Sequence, residues 1–206
     1  MLEVDRPRPS LRARKKARTR AAIQEHALRL FSERGYEATT VDEIAGAAEV
    51  SPSTFFRYFP TKEDVVLYDA LDPLLLESMD AQPADLSPIG ALRAAMREVF
   101  GGAPADVLAQ QDQRAALIFS VPDLRMRMLD ELARSMLLFV DVIARRVGVP
   151  ADDVAVRALA GAAIGVGIAA WVTAGGAAAP DYIRQMDEGL AELEAGFPTL
   201  TRSRPN

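Results

Sequence analysis

Residues 40–62 read TVDEIAGAAEVSPSTFFRYFPTK, and this stretch decides the fold of the N-terminal part of the chain. Thr40 and Glu43 have the spacing of a capping box, which predicts that a helix begins just after Thr40. Ser51 and Pro52 have the pattern of an N-cap followed by a first helical position, so a second helix is expected to run to about Tyr58. The sequence therefore predicts two short helices joined by a turn of three residues.

The apolar residues of this stretch have the spacing needed to hold the two helices together. They are Ile44, Ala45, Val50, Phe55 and Phe59, and Ala45 is small where the helices should cross. Two short helices with a three-residue turn have the layout of a helix-turn-helix, whose second helix enters the major groove of DNA. A plain helical hairpin has the same spacing, so spacing alone leaves both interpretations open.

Polar and aromatic residues favour the DNA-binding interpretation. The second helix begins with the short residues 51–54 (SPST), which suit the end that faces base edges. Arg57 and Tyr58 follow on its exposed face beside Phe56, and they suit phosphate contacts and packing against thymine methyl groups. Lys62 lies in the first turn of the next helix, where a cation opposes the helix dipole. A bound phosphate would remove that conflict.

Composition and charge point to two modules with different tasks. Half of the 206 residues are apolar, so the chain can bury a core, and it has no cysteine, which excludes disulfides and thiolate chemistry. Residues 1–62 hold 12 of the 24 Lys and Arg but only 8 of the 29 Asp and Glu. A basic N-terminal part on an acidic protein indicates one module that binds a polyanion and a second with another role.

The remaining pattern is helical almost throughout. The first helix is expected from about Leu11 to Arg34, and the fourth from Thr61 past Leu71, where Pro73 kinks or breaks it. Three further helices are expected to begin near positions 88, 104 and 122, each at a proline. Two last helices are expected near 152–174 and 180–195, separated by the pair Gly175–Gly176. The sequence predicts an all-α fold of about nine helices.

Over about 12–66 the chain resembles the TetR family of transcriptional regulators. Residues 38–45 (ATTVDEIA) and 50–63 (VSPSTFFRYFPTKE) match the family signature in the expected order. The resemblance implies an N-terminal three-helix helix-turn-helix domain and a C-terminal helical bundle for dimerisation and ligand binding. The expected domains are a disordered basic arm at 1–10, a DNA-binding domain at 11–60, a ligand-binding and dimerisation domain at 61–198 and a flexible tail at 199–206.

The resemblance also assigns roles within the N-terminal domain. Thr40 and Lys62 are expected to hold phosphates, and the basic run 12–20 to face DNA. The residues expected along the base edges are Ser51, Pro52, Ser53, Thr54 and Arg57. Phe56 stands where the family usually has Tyr, and Tyr58, which can donate to a phosphate, stands where it often has His. Glu49 replaces the usual turn glycine, so a positive φ there would cost roughly 1–2 kcal/mol.

For the C-terminal domain the resemblance implies a homodimer, built on the helices near 152–174 and 180–195, and a ligand cavity. Gly161 and Gly165, four residues apart, could serve either tight packing within the subunit or a dimer seam, and the seam is favoured. The effector is expected to be large and apolar, with a fatty acyl chain as one candidate. The candidate pocket residues are Met96, Phe100, Leu117, Met126, Met136, Phe139, Ile164 and Trp171.

Two other classes of protein, an enzyme and a membrane-associated adaptor, fit the sequence less well than a regulator does. An enzyme is disfavoured because His26 is the only histidine and no catalytic set, metal-ligand spacing or glycine-rich phosphate loop is present, so no catalytic residue, metal or cofactor is expected. Residues 158–179 lack charge and are long enough to cross a bilayer, but they are mostly Ala and Gly. We therefore expect a cytoplasmic, ligand-released repressor that binds a palindromic operator as a homodimer, without membrane contact. The alternative is a membrane-associated or protein-binding helical adaptor.

Overall fold

The computed structural model describes residues 10–174 and 179–198. Within these ranges the chain forms ten α-helices and no strand, so the all-α prediction is confirmed. The predicted arm apart from Ser10, the predicted tail and the pair Gly175–Gly176 lie outside the described residues. The helices are α1 (Leu11–Arg34), α2 (Val41–Ala47), α3 (Pro52–Tyr58), α4 (Lys62–Leu67), α5 (Asp72–Ala81), α6 (Pro88–Gly101), α7 (Ala105–Ser120), α8 (Pro122–Val147), α9 (Val154–Ala174) and α10 (Ala179–Glu194).

The structure has one helix more than predicted, because the segment around and after Pro73, where the fourth helix was expected to kink or break, forms a helix of its own. α4 ends at Leu67, and Tyr68 has the extended backbone angles φ −62° and ψ 120°. A new helix, α5, then begins at Asp72 with Pro73 in its first turn, where proline is tolerated because the missing N–H has no helical partner. The proline was therefore correctly identified as a boundary, but it starts a helix instead of only ending one.

The chain divides into two compact units, one ending at Tyr68 and the other beginning at Asp69. This boundary lies eight residues after the predicted one at Pro60, because α4 packs on α1. The buried Gln24 of α1 fixes the end of α4, and its amide donates to the carbonyl oxygens of Val65 and Tyr68, both at 2.8 Å. Helix ends leave carbonyls without helical partners, so this side chain completes the first unit.

The second unit is built around one apolar core. Buried residues of α5, α6, α8, α9 and α10 form the core, with Leu92, Ile143 and Leu190 among the most deeply buried. Arg93 joins α6 to α10, because its guanidinium donates twice to the carboxylate of Asp187, at 2.8 and 3.1 Å. α10 therefore packs with one side against the core of the second unit.

α9 is the most apolar helix of the described chain. It passes the length and composition test for a membrane-crossing helix, with a mean hydropathy of 1.7 over its best window. Core helices of proteins that never enter a membrane pass the same test. One side of α9, including Val156 and Ala163, is buried in the core of the second unit.

A buried ion pair anchors the first residue of the second unit. Arg114 of α7 is 5% exposed, and its guanidinium donates to a carboxylate oxygen of Asp69 at 2.8 Å. The Gln111 amide and the Leu71 backbone N–H donate to the other oxygen, each at 2.8 Å. Burial alone would raise the pKa of Asp69, but the charge and hydrogen bond of Arg114, together with the hydrogen bonds from Leu71 and Gln111, outweigh burial and hold that pKa below its usual value.

Removing this guanidinium should destabilise the second unit in a pH-dependent way. Arg114→Met should lower the free energy of unfolding at neutral pH by about 3 kcal/mol, because it leaves a largely buried carboxylate without its charged partner. Without Arg114, burial raises the pKa of Asp69, so the difference from wild type should shrink as the pH falls and Asp69 takes up a proton. Urea unfolding at several pH values measures both effects.

The double variant Arg114→Met/Asp69→Asn is the control for this experiment. It removes both charges, so it should recover most of the lost stability at neutral pH. A loss of stability in Arg114→Met that is independent of pH, or that persists in the double variant, would show that Arg114 acts through packing and not through Asp69.

Candidate nucleic-acid interface

The two short helices of the first unit are held by buried apolar side chains. Ile44 and Ala45 of α2, with Phe55 and Phe59 at α3, are each at most 2% exposed. Val50, expected among these contacts, is only half-buried, and its backbone N–H donates to the carbonyl of Ala45 at 2.9 Å. The predicted hairpin is therefore present, with its apolar face directed into the unit.

The turn between the helices contains a strained residue. Glu49 has φ +53°, in the left-handed region that L-residues other than glycine rarely adopt. This is the conformation expected where a side chain replaces the turn glycine, and it costs roughly 1–2 kcal/mol. The burial of α2 and α3 compensates for that cost and keeps the turn geometry.

The start of α3 is organised by Ser51. The Ser51 Oγ accepts a hydrogen bond from the backbone N–H of Thr54 at 3.1 Å and donates to the Thr54 Oγ1 at 3.0 Å. The Ser53 Oγ lies 2.9 Å from the same Ser51 hydroxyl. The cap on α3 and its three hydroxyls thus form one exposed cluster at the helix N-terminus, where Pro52 is also exposed.

Large side chains follow on the outer side of α3. Phe56 is 51% exposed and makes an edge contact with the buried Phe55, with ring centroids 5.4 Å apart. Arg57 is exposed and its guanidinium lies 5.6 Å from the centre of the Tyr58 ring. An exposed phenylalanine in this position offers apolar surface of the kind that packs on thymine methyl groups.

Thr40 starts α2 through a complete capping box. Its Oγ1 accepts from the backbone N–H of Glu43 at 3.3 Å, and its own N–H donates to the Glu43 carboxylate at 2.8 Å. The hydrogen bond from the Thr40 backbone is the main reason that the pKa of Glu43 is lowered, and Arg34 adds an ion pair at 2.9 Å. The predicted cap is present, and Thr40 remains exposed.

Lys62 already has acceptors within the protein. Its Nζ donates to the carbonyl oxygens of Tyr36, at 2.9 Å, and Thr39, at 3.3 Å, and it lies 4.2 Å from the centre of the Tyr36 ring. These carbonyls relieve the conflict between the cation and the helix dipole without a phosphate. Lys62 therefore holds the loop that leads into Thr40, and direct phosphate contact by Lys62 stays a prediction.

The sequence interpretation missed several residues that shape this unit. Gln24 and Tyr36 are buried, and the Tyr36 hydroxyl donates to Glu63 at 3.0 Å. The guanidinium of Arg20 lies 4.7 Å from the ring centre of Tyr68. A buried polar residue within an apolar stripe, such as Gln24 beside Ile23, is the one signal that could have drawn attention to a specific partner.

The predicted pocket residues fall into three groups in the second unit. Met96 and Phe139 are buried in the core, and Phe100 and Met136 pack against it. Met126 is 65% exposed on α8, so it is not an interior residue. Leu117, Ile164 and Trp171 are half-buried. Trp171 contacts Phe119 of α7, with ring centroids 4.0 Å apart. Met126 is the one exposed member of the eight, and the pocket role of the other seven stays a prediction.

The predicted dimer helices also have different roles. The helix near 180–195 was expected in the dimer through an apolar stripe that includes Ile183, Met186, Leu190 and Leu193. In the structure Leu190 is fully buried and the other three are partly buried against the core of the second unit. On α9, by contrast, a side chain added at Gly161 or Gly165 would meet no atom within 4 Å. Packing within the second unit therefore accounts for Leu190 but not for the two glycines, and the dimer interface on both helices stays a prediction.

Comparison with known proteins identifies the family. Residues 23–68 match the profile of bacterial regulatory proteins of the tetR family, and residues 86–198, more than half of the chain, match the MftR C-terminal domain. The chain belongs to the TetR family. Its members are DNA-binding transcriptional regulators, which are not a class of enzymes.

Individual relatives match to different extents. The chain is 46% identical over 95 residues to the transcriptional regulator TcmR of Streptomyces glaucescens, which covers 45% of this chain but only 42% of TcmR. It is 26% identical over 170 residues to MftR of Mycobacterium tuberculosis, covering 80% and 84% of the two chains. The crystal structure of Thermus thermophilus FadR, a TetR-family repressor in complex with lauroyl-CoA, has a TM-score of 0.54 and 27% identity, and covers 91% of this chain and 98% of FadR.

Proposed function

We propose that this protein is a cytoplasmic transcriptional repressor that binds a palindromic operator as a homodimer and is released by an apolar small molecule. The observation that carries the proposal is the division of α3 into two faces. Phe55 is fully buried, whereas Ser53 and Phe56 are exposed. A recognition helix needs this arrangement, because its base-reading side must be free while the other side is fixed to the domain.

Within this proposal the residues of the first unit have different roles in DNA binding. Ser53 and Phe56, together with Pro52 and Thr54 near the N-terminus of α3, face base edges. Ser51 acts mainly as the N-cap, because its hydroxyl is engaged with Thr54. Thr40 and Tyr58 contact phosphates on either side. Lys62 fixes the loop before Thr40 and so sets the position of that phosphate contact.

The recognition assignment can be tested by selecting duplexes from a random-sequence library with the wild-type protein. Phe56→Ala should weaken binding to the selected duplex by about 1 kcal/mol per half-site, because an apolar base contact is lost, and should barely change binding to unrelated DNA. Titrations of both duplexes at fixed salt give the two affinities.

Leu138→Ala is the matched control, because Leu138 is an exposed apolar residue of the second unit. It should bind both duplexes like wild type. If no sequence is enriched by the wild-type protein, the repressor proposal is wrong. If Phe56→Ala weakens both duplexes equally, Phe56 does not read bases.

We propose that the homodimer forms on the outer face of α9. Positions 154, 158, 161, 165, 168 and 172 of this helix repeat at alternating spacings of four and three, the pattern of a helix that packs along a partner. Val154 is 74% exposed and Val172 is 59% exposed. The open sides of Gly161 and Gly165 lie between them and permit a close approach of the second helix.

The proposed dimer interface on α9 predicts a specific effect of one substitution. A Cβ added at Gly165 would meet no atom within 4 Å, and Gly165→Leu replaces a poor helix former, so the subunit should fold at least as stably as wild type. The added side chain should nevertheless block the partner helix. Light scattering should give twice 22.3 kDa for wild type and a single chain mass for the variant.

Ala133→Leu provides the control, because Ala133 is a small exposed residue on α8. This variant should remain dimeric. A dimeric Gly165→Leu would place the interface elsewhere. A monomeric wild type that binds lipid vesicles would instead favour the membrane-associated adaptor, the alternative that the length and apolarity of α9 support.

We propose that the effector carries an acyl chain. The support is the likeness to FadR, a repressor seen with lauroyl-CoA, together with half-buried apolar residues in the second unit. The stacked pair Phe119–Trp171 joins α7 to α9 and offers a flat apolar surface. An effector that binds more tightly to one arrangement of these helices shifts the protein toward that arrangement, and DNA affinity can change as a result.

Trp171 makes this proposal directly measurable, because it is the only tryptophan. Lauroyl-CoA should change the tryptophan fluorescence and release the selected duplex at the same concentration, whereas coenzyme A without the acyl chain should do neither. Trp171→Phe is the control for the optical signal and should still release DNA. Unchanged fluorescence and unchanged DNA binding would overturn the acyl-chain effector while leaving the DNA-binding proposal intact.

A further inference from the structure

One side of α8 carries a continuous apolar stripe that the second unit covers only in part. Positions 126, 129, 133, 137, 140 and 144 follow one another at spacings of three or four, so they lie along one side of the helix. Val140 and Ala144, at the C-terminal end of the stripe, are 5% and 6% exposed and belong to the core. At the other end, Met126 is 65%, Leu129 56% and Leu137 60% exposed.

The exposed half of this stripe has the features of a contact surface. Ala133 lies between Leu129 and Leu137 and is also exposed, so the four open residues form one row. Contiguous exposed apolar side chains usually mark a site where another molecule binds. The dimer interface proposed on α9 does not account for the row, because none of its positions lies on α8.

Charged residues at the edge of the row indicate which molecule binds there. Asp130 and Arg134 are both exposed and lie on the same edge, beside Ala133. An edge with one anion and one cation is complementary to itself when a second copy of the helix runs antiparallel. A twofold axis between the two charges then places each Arg134 opposite Asp130 of the other copy.

The apolar residues match in the same arrangement. If the twofold axis passes between positions 131 and 132, Met126 lies opposite Leu137 of the second copy. Leu129 then lies within one helical position, about 1.5 Å along the axis, of Ala133 of the second copy. The small side chain of Ala133 leaves room for leucine, as in the alternation of large and small residues where helices pack.

We infer that the exposed half of the α8 stripe binds the same surface of a second copy of this chain in antiparallel orientation. This contact is separate from the dimer interface proposed on α9, so it joins two homodimers. It involves few residues and is therefore weak, and it forms as the protein concentration rises. The inference goes beyond the proposed function and does not depend on DNA binding.

Reversing the charges at the edge of the stripe tests the contact. Sedimentation equilibrium of the wild-type protein should show a second association step above the dimer as concentration rises. Asp130→Arg and Arg134→Asp should each weaken this step by about tenfold, because two opposed pairs per contact become pairs of like charge. The double variant Asp130→Arg/Arg134→Asp should restore the step, and so should an equimolar mixture of the two single variants.

A second pair of variants tests the apolar row. Leu137→Gln should remove the second step, because Met126 of the other copy loses its apolar partner. Leu138→Gln is the matched control, since Leu138 is 52% exposed on α8 but lies about 100° around the helix from Leu137. It should associate like wild type. All these variants should retain the α9 dimer and the circular dichroism spectrum of the wild-type protein.

The Gly165→Leu variant separates this contact from the interface proposed on α9. It should be a monomer at low concentration and should still form a weak dimer through α8, which Leu137→Gln removes. A dimer of Gly165→Leu that persists at low concentration would contradict the α9 interface, while the charge exchange still tests α8. The α8 contact is overturned if no association step responds to both Leu137→Gln and the charge reversal, if Leu138→Gln has the same effect, or if the double variant does not restore association.

Discussion

The interface depends on the burial of one face of two helices that are too short to persist alone. α2 and α3 have seven residues each, and isolated helices of that length are marginal in water. Tertiary packing must therefore supply their stability, and the fully buried Ile44 and Phe55 show where it does so. Because those side chains fix the rotation of each helix about its axis, they also decide that Ser53 and Phe56 face outward.

Polar contacts fix the loops and helix ends that this apolar packing does not hold. The Lys62 amine ties down the carbonyls of Tyr36 and Thr39 in the loop before α2, and Gln24 satisfies the carbonyls at the end of α4. Both residues join segments more than 20 positions apart in the chain. The strain at Glu49 can persist in such a unit because the surrounding contacts determine the path of the backbone.

Local signals in the sequence were sufficient to predict most of the helices. The cap at Thr40 pairs with Glu43 and the cap at Ser51 pairs with Thr54, each three positions away, so both could be predicted. The positive φ at Glu49 was expected because the family usually has glycine there. The end of α4 at Leu67 could not, because the residues that follow it contact distant partners: Gln24 donates to the Tyr68 carbonyl and Arg114 donates to Asp69, 44 and 45 positions away. Partners at such separations leave no periodic pattern in a single sequence.

Contacts between residues distant in the sequence also limit what could be predicted about the candidate DNA-binding site. The exposure of Phe56 follows from helix periodicity. The carbonyl groups that accept hydrogen bonds from Lys62 are brought to it by tertiary contacts, and a family signature does not reveal such contacts. The stripe on α10 has the periodicity of a helix with one buried face, which fits a dimer seam and a subunit core equally well. The packing of Leu190 assigns one side of α10 to its own core, whereas exposed apolar side chains remain on α9.

Ethylation interference on the complex with a selected duplex tests the central claim most directly, because it maps which backbone phosphates the protein needs. The account predicts two clusters of sensitive phosphates related by a twofold axis, one for each half-site, with half-site centres about 34 Å apart, since two α3 helices of a dimer must reach successive major grooves. A single cluster, or interference spread evenly along the duplex, would contradict a dimer that reads DNA through paired recognition helices.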